Sequence, residues 1–175
     1  MAAVAALGGF SGGPPQAAAM APDPDPAHLI PARKGHILSA SLPSTVFTEG
    51  QPVLLSVVYR NGSPEPVTIW SRGVWPNHSV NVSGDDGREP EMTDRGRRRR
   101  QAFAPDGGRD KNLPVPVQPG GVYRCASALD LTDLYRLRPG RYTVRVTYHE
   151  SRGPTPLKLT SGPVGFEITS GKVVR

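Results

Sequence analysis

The sequence predicts an all-β fold: a single antiparallel sandwich with one short helical corner, preceded by a disordered N-terminal leader. Three observations carry that expectation. Between Gly140 and Tyr148, Tyr142, Val144, Val146 and Tyr148 share one side of an extended chain. Thr143, Arg145, Thr147 and His149 share the other, which is the period of a half-buried strand. Apolar runs recur about every ten residues, the spacing of a sandwich or barrel. Finally, 20 prolines and 20 glycines in 175 residues interrupt nearly every stretch long enough for a helix. Each internal proline would remove a backbone donor and clash with the preceding turn.

The elements follow in order. Residues 1–35 form the leader. Its Met1–Phe10 stretch is mildly apolar and Ala17–Ala21 is small, but it lacks a basic start. It is either the remains of a secretory signal or an Ala/Gly/Pro leader. It is too short and interrupted to span a membrane, and Pro22-Asp23-Pro24-Asp25-Pro26 makes an extended spacer. The sandwich occupies residues 36–170, with a tail at 171–175. Ile37, Leu38 and Leu42 mark a first strand stopped by Pro43. Val53–Tyr59, between Glu49-Gly50-Gln51-Pro52 and Asn61-Gly62, is the second, Pro66–Trp70 the third and Ser79–Ser83 the fourth.

Residues 84–112 break the pattern. Eight basic residues face seven acidic ones there, with only Met92 and Phe103 to bury, which predicts a long exposed insertion with at most a short strand at Gln101–Ala104. Leu113-Pro114-Val115-Pro116-Val117 is confined to an edge by its prolines. Val122–Leu131 is a strand, Leu131–Leu137 has the offsets of one helical turn, and Val164–Ile168 closes the fold.

Composition and motifs limit the chemistry. The net charge is +6, but the Arg, Ala, Gly and Pro bias matches GC-rich codon usage as well as it matches a phosphate-binding surface. Cys125 is the single cysteine, so no intramolecular disulfide forms, and its setting is that of a small buried hydrophobe. His28, His36, His78 and His149 stand singly, without zinc-motif spacing, and read as exposed or turn residues. Asp85-Asp86-Gly87 reads as a turn. Asn61, Asn77 and Asn81 head glycosylation patterns. No nucleophile elbow, Walker loop or dinucleotide fingerprint occurs, and no cofactor is expected.

A strand, a Trp-bearing strand, a helical corner, Pro139-Gly140-Arg141-Tyr142 and a further strand follow one another, an order that resembles immunoglobulin-like β-sandwich domains, including bacterial members without the disulfide. The likeness covers roughly residues 36–170, and its Pro-Gly-x-Tyr turn is shared with transthyretin-like and macroglobulin-like sandwiches. It implies that the Tyr142 hydroxyl bonds back to the preceding corner. It places Val144 where the second disulfide cysteine would stand and Leu55 or Val57 where the first would. Trp70 takes the part of the core tryptophan. The segment Leu129–Gly140 also looks like accessory sandwich segments of secreted bacterial proteins, and no catalytic residue comes with that likeness.

The function expected is therefore a non-catalytic interaction or structural accessory module, outside the cytoplasm, binding a protein or a surface polymer through sheet edges and end loops. Trp75 and Arg97, Arg98, Arg99 and Arg100 are its candidate contact residues. One alternative is an anion or nucleic-acid binder using the Arg run. It is disfavoured because Asp86, Glu89, Glu91 and Asp94 lie just upstream and only Phe103 is near enough to stack on a base. Another is a hydrolase in which His149 converges with Asp130 or Asp133.

Overall fold

The alternating run from Gly140 becomes the centre of one of two facing sheets. The computed structural model describes residues 35–71, 77–102, 113–150 and 157–171. All of the expected leader but Gly35, all of the expected tail but Gly171, and His28, Trp75 and Phe103 lie outside the described residues. In chain order the elements are β1 (His36–Ser41), β2 (Val46–Thr48), β3 (Leu54–Asn61), β4 (Val67–Ser71), β5 (His78–Gly84) and α1 (Asp94–Ala102). They continue with β6 (Leu113–Val117), β7 (Val122–Asp130), β8 (Gly140–Glu150), β9 (Leu157–Thr160) and β10 (Val164–Thr169).

The first sheet has the order β1-β3-β7 and the second β2-β10-β8-β5, with β9 also on β8, while β4 and β6 pair separately. Every ladder is antiparallel except β2 with β10. That exception arises because the chain changes sheets at Leu42–Thr45, after Pro43. Leu38, Leu55, Val57, Tyr59 and Leu129 from the first sheet share one core with Val80, Val82, Val144, Val146, Phe166 and Ile168 from the second. This is the layering of a β-sandwich.

Two short strands were not anticipated. β2 has only three residues, too few to show a period. In β9, Leu157 and Leu159 alternate about Lys158, but the neighbouring prolines read as a connection. β9 and β10 act as one broken strand along β8. Ser161 fills the break, donating its amide to Val146 O at 2.8 Å and accepting the Val146 N–H on its hydroxyl at 3.0 Å.

Several placements correct the sequence reading. Residues 94–102 are a helix rather than part of a loop or strand. The single helical turn expected at Leu131–Leu137 is, by contrast, present over Leu131–Tyr135, where the Leu134 and Tyr135 amides donate to Leu131 O at 3.0 and 2.9 Å. Ile69 on β4 is buried and joins the core. Trp70 is only half-buried and does not join it, because adjacent strand residues face opposite ways. His36 and His78 are buried strand residues, 9% and 1% exposed, not turn residues. His36 Nδ1 lies 2.6 Å from the Tyr59 hydroxyl, and His78 packs its ring 5.0 Å from that of Tyr148.

Asn61 and Asn77 are buried as well. Asn61 donates to Glu65 O and Val117 O at 2.8 and 2.9 Å and accepts from the Ser63 amide at 2.9 Å. It is thus a turn-organising residue with no room for a glycan. Beside it the backbones of Gly35 and Gly62 touch so closely that a Cβ on either would overlap the other's backbone.

Side chains cap part of the outer edges of the second sheet. The outward amides of β2 donate to neighbouring side chains, Val46 N–H to Ser44 Oγ at 3.1 Å and Thr48 N–H to Gln51 Oε1 at 3.0 Å. On β5 the Tyr135 hydroxyl donates to Val80 O at 2.8 Å. Such caps remove the unpaired groups through which edges associate.

Tyr142 makes the corner bond that the resemblance implies. Its hydroxyl donates to Arg138 O at 2.8 Å and accepts the Arg138 N–H at 3.1 Å, while its ring stacks on Phe166 at 5.4 Å. The Tyr142→Phe variant keeps the ring and loses both bonds. Its unfolding free energy in urea is expected to fall by about 1–2 kcal/mol; an unchanged midpoint would show the corner to be held by packing alone.

Candidate functional site

The corner between β7 and β8, the acidic turn after β5 and helix α1 meet at one end of the sandwich. Asp130 Oδ1 organises the corner by accepting the Val53 and Thr132 amides at 3.2 and 2.9 Å and the Thr132 hydroxyl at 2.8 Å. Met92 forms a bridge with Tyr135, and Thr93 donates its amide to Leu134 O at 2.9 Å.

Thr93 then caps α1, accepting the Gly96 N–H on its hydroxyl at 2.9 Å. Asp94 in the first turn and Arg99 and Arg100 in the last complement the helix dipole. The helix carries no apolar stripe. It docks through Gly96, which is buried and whose missing side chain lets Leu134 O approach.

This geometry disperses the Arg run. Successive helical residues rotate by about 100°, so the four guanidinium groups do not share a face. Arg97 bonds Asp94 and Met92 O. Arg100 grips Glu89 with both terminal nitrogens, and its Nη2 stands 3.4 Å from the Tyr135 hydroxyl. Arg99 is half-buried beside β5, where desolvation and then the charge of Arg95 lower its pKa. Arg98 is exposed and pairs with no carboxylate among the described residues.

Arg95 binds Asp133 at 2.7 Å. The Tyr135 hydroxyl, with its pKa pushed up to about 12 chiefly by burial, lies 3.0 Å from Glu89 Oε1 as well as on Val80 O. The Arg100 hydrogen bonds hold the Glu89 carboxyl below its ordinary value, against the opposing effect of burial.

Next to this cluster opens a groove of about 510 Å³. One wall is the turn after β5, with Asp85, Asp86, Glu89 and Glu91, and Arg88 among them. The other is the approach to β8, with Arg136, Arg138 and Arg141, and Tyr142 follows at the Gly84–Tyr142 pair where the two segments enter the β5–β8 ladder. The walls meet at one end, where Arg136 Nε stands 3.3 Å from Glu91 Oε1 and the Arg136 amide donates to Glu91 O at 2.8 Å. Toward β2 and β10, a second hollow of about 370 Å³ shares Asp85, Arg141 and Tyr142 with the groove. The Asp85-Asp86-Gly87 turn is closed by the Gly87 amide on Gly84 O at 2.9 Å, with Gly87 at φ +72°.

The hydrolase residues are not brought together. Asp130 and Asp133 are engaged at the corner. His149 lies in the last residues of β8, where its amide donates to Asn77 O at 2.7 Å. It is opposite Lys158, and burial and that lysine lower its pKa. Cys125 is buried and its thiol is pushed up to about 11 by desolvation, so it stays protonated and unreactive at neutral pH. Among the described residues no three His, Cys, Asp or Glu side chains converge as metal ligands, and no helix is long and apolar enough to cross a membrane. What the groove offers is charge recognition by guanidinium donors and carboxylate acceptors. No known protein family matches the chain, and no curated protein is significantly similar to it.

The basic wall escaped the sequence reading. Arg136, Arg138 and Arg141 are separated in sequence from their acidic counterparts, and the available signal was three arginines within six residues of a predicted end loop.

Two outcomes test this arrangement. An exposed helical Gly→Ala change gains about 1 kcal/mol in propensity, but at Gly96 the new methyl overlaps Leu134 O. A net loss of about 1–3 kcal/mol is expected in denaturant unfolding of Gly96→Ala. For Glu89, whose native pKa is lowered, the pairing stabilises the fold fully above a pH of about 4.3 and loses that effect as pH falls through the native value. The urea midpoints of wild type and Glu89→Gln should therefore differ at neutral pH and converge in acid. A constant gap would assign the difference to packing.

Proposed function

We propose that the chain is an immunoglobulin-like β-sandwich serving as a non-catalytic interaction module, and that it holds a protein partner in the groove at the β7–β8 corner. The fold subtype is supported by the Tyr142–Arg138 corner bond and by the burial of Leu55, Val57 and Val144 in one core from opposite sheets. Trp70 departs from that pattern, because Ile69 takes the core position on β4.

The observation that carries the function is the groove itself, in which opposite charges line facing walls while the acids Asp130 and Asp133 are committed to structural bonds. Fixed charges on opposing walls select a complementary surface and repel a mismatched one. The nucleic-acid reading through Arg97–Arg100 is served less well. Two of those side chains are tied to carboxylates of the same chain, and the acidic wall lies alongside.

A photo-crosslinking amino acid at Arg138, exposed to native extract of the source organism, is expected to give a discrete protein adduct. The same group at Val122, on the outer face of the first sheet, should not. Arg141→Glu on the Arg138 probe should cut the adduct by about tenfold, a change of ~1.4 kcal/mol. Adducts only from Val122, or adducts dominated by nucleic acid, would overturn the reading.

A further inference from the structure

We propose that the groove takes an extended peptide segment in which acidic and basic residues alternate. This rests on the interaction-module reading and supplies the chemistry of its ligand. Successive side chains of an extended chain point to opposite sides. In an alternating segment every carboxylate therefore faces one way and every cationic group the other. The groove presents the complement, with Arg138 and Arg141 on one wall and Asp85 and Asp86 on the other.

These four charges are open to a ligand. Arg138 and Asp85 meet no opposite charge among the described residues. Arg141 stands 3.7 Å from Glu167 with its side chain 74% exposed; Asp86 accepts the Arg88 amide on Oδ1 at 2.9 Å, and its Oδ2 stands 3.9 Å from Arg88 Nε with the side chain 63% exposed. Ion pairs that long between exposed groups contribute little and are readily exchanged for a partner's. The pairs Glu89–Arg100 and Arg136–Glu91, in contrast, brace the two walls against the helix and against each other.

A uniformly acidic segment would satisfy the basic wall and be repelled by Asp85 and Asp86. A uniformly basic one would reverse the conflict, and a polyanion such as nucleic acid shares the first objection. Only a ligand carrying both signs on opposite sides satisfies the whole groove, and alternation along an extended backbone is the simplest way to do so. The path has room to continue. Asp85, Arg141 and Tyr142 border both the groove and the hollow beside β10, where Gly165 adds no side chain.

The test compares two fluorescein-labelled hexapeptides of identical composition, Glu-Lys-Glu-Lys-Glu-Lys and Glu-Glu-Glu-Lys-Lys-Lys, by anisotropy against the full chain at low salt. The alternating peptide is expected to bind saturably and at least about tenfold more tightly than the blocked one. The double variant Arg138→Glu/Arg141→Glu should lose about tenfold or more of that affinity with unchanged circular dichroism. Arg98→Ser, on the helix and outside the groove, should bind like wild type. Equal affinity for the two peptides, an unaffected double variant, or no saturable binding each overturns the alternating ligand. The crosslinking result separates that failure from a broader one. Protein adducts at Arg138 with failed peptide binding leave the module and remove only this ligand, whereas adducts solely elsewhere remove both.

Discussion

The corner from Asp130 to Tyr142 is the constraint on which the rest of the molecule depends. A chain with one cysteine has no covalent tie between its sheets, so the crossing from β7 to β8 must be fixed by hydrogen bonds and packing. The Leu131 amide donates to Val53 O at 2.9 Å, and Asp130 takes the Val53 amide in return, which locks the crossing to the start of β3. Leu131, Leu134 and Tyr135 enter the core beneath it. Tyr142 then fixes the exit into β8. Helix α1, the edge of β5 and both walls of the groove are all referenced to these residues, so the same bonds that close the sandwich also set the geometry of the charged surface.

What was readable in the sequence follows from this division of labour. Strands with one buried face announce themselves by their period, and β3, β7, β8 and β10 do so through Leu55, Val57, Leu129, Val144 and Phe166. Tyr142 was readable through its Pro-Gly-Arg-Tyr context. Helix α1 was not, because it buries no stripe. It is joined to the fold by an absent side chain at Gly96, a threonine cap and ion pairs, none of which makes an apolar pattern. The missed signal was Thr93-Asp94 ahead of a run of good helix formers.

Trp70 and the buried histidines show the complementary limit. Periodicity tells which residues share a face, but the choice of face depends on what lies opposite. Two adjacent apolar residues such as Ile69 and Trp70 leave that choice open until β6 and the core are in place. The groove was hidden for a related reason. Counted along residues 84–112, opposite charges nearly cancel, and the cancellation concealed a spatial separation completed by Arg136, Arg138 and Arg141 from another segment. Net charge is a sum, whereas recognition depends on where each charge stands.

The turn at Asn61-Gly62, in which Asn61 is buried, bears on the chemical ageing of the chain. In an Asn-Gly sequence the glycine amide nitrogen attacks the asparagine side chain, closing a succinimide and releasing ammonia, and glycine offers the least steric resistance to that closure. Here the attacking amide is committed to Gly35 O, and the Asn61 amide is held by Glu65 O, Val117 O and Ser63. Ring closure would have to break these contacts and move the buried Asn61 side chain. The folded chain thus protects a sequence that deamidates readily in open peptides, and conversion of Asn61 to aspartate or isoaspartate would record the time a molecule has spent with this turn undone.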